Sequence, residues 1–275
     1  SESISTDLCR IHVRRAGSGP PVLLWHSLFV DSRSWGSLFD RLAERRSVIA
    51  VDGPCHGRSG AVLRHFGFDE VADAAVTVLD RLGLDTPVDW VGNAWGGHVG
   101  IQVAARHPDR LRTLAAVGTP VRGLTAREHW TMCWPLVQIY RLAGPQPWLR
   151  KILADILIGP AAIAAQPGPA AQLMESFSSA PRAAMHSAMR SMMLNRPGMA
   201  GDAAGLRLPV LMMPVHGDGM GSSPADIRAV ADTMSDARVA EGPGGSNGSL
   251  GGDCLGRQAE DAAQAVRDVA RATTA

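Results

Sequence analysis

The sequence predicts an α/β protein with a mostly parallel central sheet flanked by helices and a helical cap inserted after the sixth strand. Three observations predict it. Short apolar, β-branched runs bounded by Gly and Pro alternate with longer segments at helical spacing, the pattern of parallel strands joined by crossover helices. Several of the runs end in tight glycine-rich turns that open a helix. Near residue 121 the alternation stops, and it resumes near residue 206 after a stretch rich in Met, Ala, Pro and Trp. The expected division is a core of residues 1–120 and 206–275 with a cap of 121–205.

The first expected strand pair is Cys9 to Val13 and Val22 to His26, joined by Ala16-Gly17-Ser18-Gly19-Pro20. A helix follows with Trp35, Leu38, Phe39 and Leu42 on one side. The strand Ser47 to Val51 then runs into Asp52-Gly53-Pro54-Cys55-His56-Gly57-Arg58-Ser59. Val71, Ala75, Val78, Leu79 and Leu82 share one face of a helix over Asp69 to Leu82. Val88 to Val91 leads into Gly92-Asn93-Ala94-Trp95-Gly96-Gly97 and a helix to Arg106, and Leu111 to Val117 is the next strand. Beyond the cap come a strand at Pro209 to Val215, a helix at Asp226 to Met234 and a strand at Arg238 to Ala240. A glycine-rich loop at Gly242 to Gly252 and a helix at Gly256 to Arg271 close the chain.

Composition narrows the class. A chain of 275 residues holds one large domain or two small ones. With 45% hydrophobic and 19% charged residues it is neither a disordered chain nor a disulfide scaffold. Its 27 basic and 26 acidic residues leave +1, too little to collect nucleic acid or anionic lipid by charge alone, so neither partner is expected. Cys9, Cys55, Cys133 and Cys254 are scattered and read as reduced thiols. The longest apolar stretch, residues 152–165, is broken by Asp155, Gly159 and Pro160 and is too short to span a bilayer. The opening residues show no charged-then-apolar leader, so a cytoplasmic protein is expected. There is no phosphate loop, dinucleotide fingerprint or metal-ligand spacing, so no cofactor and no metal are expected.

The His26-Ser27 turn, the Asp52 to Ser59 turn and the Gly92-x-Ala94-x-Gly96-Gly97 elbow occur in the order seen in the α/β-hydrolase fold family, which the chain resembles over nearly its whole length. In that family the elbow places a nucleophilic serine on a sharp strand-to-helix turn. Two backbone N–H groups form an oxyanion hole; the resemblance assigns them to Leu28 and Trp95. The chain departs from the pattern at the triad. Ala94, which has no hydroxyl, holds the nucleophile position, and Met220 the usual acid position, with Asp218 two residues early. Val117-Gly118-Thr119, the alternative acid site, carries no carboxylate, and residues 241–248 carry no histidine. Loss of one triad member already removes about six decades of turnover. Absence of all three therefore reads as a scaffold that has stopped hydrolysing.

What remains is an apolar pocket with anion-binding N–H groups at a helix N-terminus. His98 and His216 are candidate general bases. His26, Ser27, Phe29, Ala94, Trp130, Trp134, Met189, Met193, Met220, Ser246 and Asn247 are candidate substrate contacts, although the Trp and Met residues also suit plain cap packing. The expected function is a cofactor-independent oxygenase acting on a bulky aromatic or polycyclic metabolite, with dioxygen as co-substrate. Three alternatives stand beside it: a C–C bond-forming, cyclising or eliminating enzyme; a non-catalytic protein binding a small apolar ligand; and a serine hydrolase bearing a serine-to-alanine change at residue 94. The oligomeric state is left open.

Overall fold

The computed structural model describes residues 1–157, 163–164, 167–214 and 221–240. Eight described strands form one sheet: β1 (Glu2–Ser5), β2 (Arg10–Ala16), β3 (Pro21–Trp25), β4 (Ser47–Asp52), β5 (Val88–Asn93), β6 (Leu111–Val117), β7 (Val210–Met213) and β8 (Ala237–Val239). Their spatial order is β1-β2-β4-β3-β5-β6-β7-β8. The β1/β2 and β2/β4 pairs are antiparallel and every later pair is parallel. This is the predicted fold class with two corrections. β2 and β3 do not pair, because β4 lies between them. β1 was not expected; its sequence, Glu-Ser-Ile-Ser, buries only Ile4 and gives too short an apolar signal.

The central strands read as continuous apolar runs because helices cover both faces of the sheet. The helix α1 (Gly36–Ala43) packs Leu38, Phe39 and Leu42 on one side of it. On the other side α2 (Phe68–Arg81) buries Phe68, Val71, Ala75, Val78 and Leu79, each large side chain contributing about 1.5–3 kcal/mol. At the start of α2 the Glu70 carboxylate accepts the Gly67 N–H at 2.9 Å, and Arg81 sits in its last turn; both charges suit the helix dipole. The helix α3 (Trp95–Arg106), packed against α2 and against β5 and β6, is buried along almost its whole length.

Between β6 and β7 the chain is helical: α4 (Ala126–Glu128), a π-turn at His129–Cys133, α5 (Trp134–Ala143), α6 (Pro147–Leu157), α7 (Pro167–Ser179), α8 (Arg182–Ala188), a second π-turn at Met189–Leu194, and α9 (Ala200–Ala204). The two π-turns lie against each other. A last described helix, α10 (Pro224–Ala231), precedes β8. The strand expected over Pro209 to Val215 is regular only over β7, and the helix expected at Gly256 to Arg271 lies outside the described residues. Among the described residues no helix is long and apolar enough to cross a membrane.

Candidate active site

Parallel pairing brings the ends of β3, β4 and β5 to one edge of the sheet, where crossover loops of α/β proteins bind ligands. There Ala94 joins β5 to α3 with φ 47° and ψ −104°, a quadrant that L-residues rarely adopt. Its N–H donates to Val117 O at 2.7 Å, while its carbonyl accepts from Gly97 N–H and His98 N–H at 3.1 and 3.3 Å. The flanking glycines explain why the turn can be so tight. A Cβ on Gly92 would overlap the backbone of Gly96 and Gly97, and one on Gly96 would overlap the Trp25 carbonyl. The Trp90 indole N–H donates to Gly96 O at 3.0 Å. Every one of these restraints acts on backbone, so the elbow holds its shape whatever side chain residue 94 carries.

Among the described residues neither the Leu28 nor the Trp95 N–H has an acceptor. The Trp95 N–H also opens α3, so the positive end of the helix dipole adds to it. The Trp95 side chain turns into the core, edge-on to Trp25 at 5.8 Å and beside His26 and His56 at 5.6 and 5.0 Å.

The histidines near the elbow are structural. His26 is fully buried; its Nδ1 donates to Ser27 O at 2.7 Å and its Nε2 accepts the Gly53 N–H at 2.8 Å. His56 donates from Nδ1 to Pro54 O at 2.8 Å and accepts the Phe29 N–H at Nε2. Burial is the main force holding both imidazoles neutral, and it takes His56 down to about 3. The two rings thus tie the turn after β3 to the turn after β4. His98 does not fit the general-base role expected of it: its Nε2 donates to Pro120 O, its ring packs edge-on against Phe68, and burial lowers it to about 3.

The expected substrate contacts separate. Ser27 lends its carbonyl to His26. Phe29, held at φ 76°, meets Phe177 of α7 edge-on at 5.6 Å, which fixes the loop after β3 against the helical segment. Met189 and Met193 are buried in the main apolar cluster. Trp130 and Trp134, on the π-turn and the first turn of α5, stand 62% and 42% exposed. His216, Met220, Ser246 and Asn247, with Asp218, lie outside the described residues. Two residues not expected to matter do. Asp31 takes a bidentate ion pair from Arg33, and Arg33 also donates to Ser176 Oγ of α7 at 3.1 Å, a second link between this edge and the helical segment. The Asp31-x-Arg33 spacing, in which the carboxylate accepts the Arg33 N–H at 2.9 Å, is the sequence signal that marks it. Among the described residues no group of three His, Cys, Asp or Glu side chains is placed to hold a metal ion.

With this geometry in hand, comparison with known proteins identifies the scaffold. The chain is 34% identical over 119 residues to 2-hydroxymuconate semialdehyde hydrolase of a Pseudomonas species, covering 43% of this chain and 39% of that one. It is 35% identical over 120 residues to the pimeloyl-[acyl-carrier protein] methyl ester esterase of Chromobacterium violaceum, 44% of each chain. The matches thus span about two fifths of these relatives' length. The enol-lactonase of Burkholderia xenovorans LB400 superposes with a TM-score of 0.81 over 98% of this chain and 100% of its own, at 21% identity. These relatives are named for hydrolysis, which overturns the expected non-hydrolytic oxygenase and favours the hydrolase alternative. A family model described as alpha/beta hydrolase fold matches residues 20–223, and the chain belongs to that family.

Proposed function

We propose that the chain carries a serine-hydrolase-type site for an ester or lactone carbonyl in which Ala94 fills the nucleophile position. The observation that carries this reading is the backbone of Ala94 itself. A non-glycine residue is held at φ 47° between β5 and α3, and the N–H of the next residue has no acceptor among the described residues. That conformation lifts the Cβ of residue 94 out of the turn, and the Leu28 and Trp95 N–H groups supply what a developing oxyanion needs. The relatives' names supply the substrate class, a hydrolysable carbonyl. Residues 121–205 act in this reading as a cap, joined to the elbow edge through the Phe29–Phe177 and Arg33–Ser176 contacts. The alanine lacks the attacking oxygen, so the chain as it stands binds and polarises its carbonyl without forming an acyl-enzyme.

The test is Ala94→Ser beside the unaltered chain, with a fluorophosphonate probe read by intact mass and an aryl acetate read by phenolate release. Ala94→Ser restores the attacking oxygen: one phosphonyl adduct at residue 94 shows that the elbow presents it, and a gain of several decades in esterase turnover shows that the chain also supplies its general base, since one missing triad member costs about six decades in a serine hydrolase. Labelling without turnover would leave the elbow standing and remove the hydrolytic reading. Neither would remove both.

A further inference from the structure

The net charge of +1 conceals an uneven distribution. Residues 121–205 carry eight Arg and Lys against four Asp and Glu, and the rest of the chain carries 19 against 22. Within the helical segment Arg122 pairs with Glu128 and Lys151 with Asp155. Arg182, His186 and Arg190 follow one another at four-residue spacing along α8 and its π-turn, on one side of the helix. Arg141 of α5 comes alongside them: the Arg182 guanidinium donates to the Arg141 carbonyl, and α5 packs on α8. Among the described residues none of these three arginines has a carboxylate partner, and all three are exposed. The His186 Nε2, buried between them, has no hydrogen-bond partner among the described residues. Burial first, then the charges of Arg190, Arg141 and Arg182, hold its imidazole below the ordinary range.

The same stretch exposes its largest apolar side chains. Trp130 and Trp134 touch with ring centroids 5.9 Å apart, and Leu142 is 78% exposed beside Arg141. Trp134, Gln138 and Arg141 share one face of α5, so the indoles and the guanidiniums belong to one surface. Scattered exposed apolar residues need no explanation, but a cluster of them beside arginines that have no carboxylate partner among the described residues does. A second copy of this chain docking with the two-fold axis through the arginines would set its arginine cluster against the same cluster. A small soluble anion would engage the guanidiniums and leave Trp130, Trp134 and Leu142 in water. Anionic phospholipid answers both halves, since indoles settle at headgroup depth and guanidiniums pair with phosphate.

We propose that the face formed by Trp130, Trp134, Leu142, Arg141, Arg182 and Arg190 docks on an anionic phospholipid surface. The full chain is sedimented with vesicles of phosphatidylcholine alone and with vesicles containing roughly one third phosphatidylglycerol. It binds the second kind and not the first, less tightly as salt rises. Arg141→Gln/Arg190→Gln lowers partitioning about 25-fold, at about fivefold for each arginine lost. Arg10→Gln/Arg45→Gln removes the same charge from exposed positions in the rest of the chain and leaves partitioning within about twofold. Trp130→Ala/Trp134→Ala weakens binding with an unchanged urea midpoint, which separates lost contact from lost fold. Equal binding to both vesicles, equal losses from the two arginine double variants, no vesicle binding, or self-association that masks the face each overturns the proposal.

Discussion

Replacing Ala94 by glycine should make this protein more stable. At φ 47° and ψ −104° the alanine Cβ is held in a region that costs an L-residue about 1–3 kcal/mol, and glycine enters it freely. Glycine gives back about 0.5–1 kcal/mol through the freer unfolded chain, so Ala94→Gly should gain up to about 2.5 kcal/mol. Little is lost from packing, because Ala94 is only half-buried and its ties to Val117, Gly97 and His98 run through the backbone. The assay is equilibrium urea unfolding followed by tryptophan fluorescence. A higher midpoint with an unchanged slope reports a native-state gain. A lower midpoint at the same slope would mean that the elbow holds alanine without strain. The account of the turn as an over-determined, function-bearing geometry would then be wrong.

Two further outcomes follow from the charge network. Asp89 is buried where β5 begins and accepts Arg112 Nε at 2.9 Å, Thr113 Oγ1 at 2.8 Å and the Arg46 guanidinium. Asp89→Asn breaks this set and should cost about 3–5 kcal/mol in the same urea assay, because two cations lose their buried counter-charge. Burial alone would raise the Asp31 carboxyl, but the Arg33 and Ser176 bonds outweigh it and bring it down to about 2. A carboxylate lowered on folding stabilises the native state above its unfolded value near pH 4, and that contribution is lost as pH falls towards about 2. An acid titration of stability should therefore be shallower in Asp31→Asn than in the unaltered chain over that window.

The fold was legible because its signals are local and repeated. Apolar runs such as Val22 to Trp25 and Val48 to Val51 read as buried strands from their short length and flanking turn residues, and α2 shows its buried face directly in the spacing of Val71, Ala75 and Val78. Strand order was less legible: that β4 inserts between β2 and β3 depends on long-range pairing that no turn between Ala16 and Pro21 encodes. At the site, the glycines of the elbow announced a close approach of backbones, whereas the Leu28 and Trp95 donors were implied by the family resemblance. The side chains around it were harder. His98 lies one helical turn beyond Ala94, and only the three-dimensional placement of Pro120 and Phe68 shows that its ring is already committed. Trp130 and Trp134 have the composition of a pocket lining, and the side of the helix they occupy depends on a π-turn that the sequence does not signal. The charge of residues 121–205 was readable all along but vanished in the whole-chain average.

The elbow also explains why the family resemblance and the activity had to be argued apart. The turn at Ala94 is fixed by Gly92 and Gly96 against backbone, by the Trp90 indole on Gly96 O and by the bond from Ala94 N–H to Val117 O. The side chain of residue 94 makes none of these contacts, so exchanging serine for alanine there leaves the architecture as it was. The histidine pair is equally independent of catalysis, since His26 and His56 hold the turns after β3 and β4 together as neutral rings. A chain can therefore keep the elbow geometry of a hydrolase scaffold, with oxyanion-type donors that have no acceptor among the described residues, while lacking the atom that attacks. Structural similarity then reports the strain and the glycines. The side chains that attack and move the proton report the function, and an Ala94→Ser variant restores the attacking oxygen while leaving every other restraint on the turn in place.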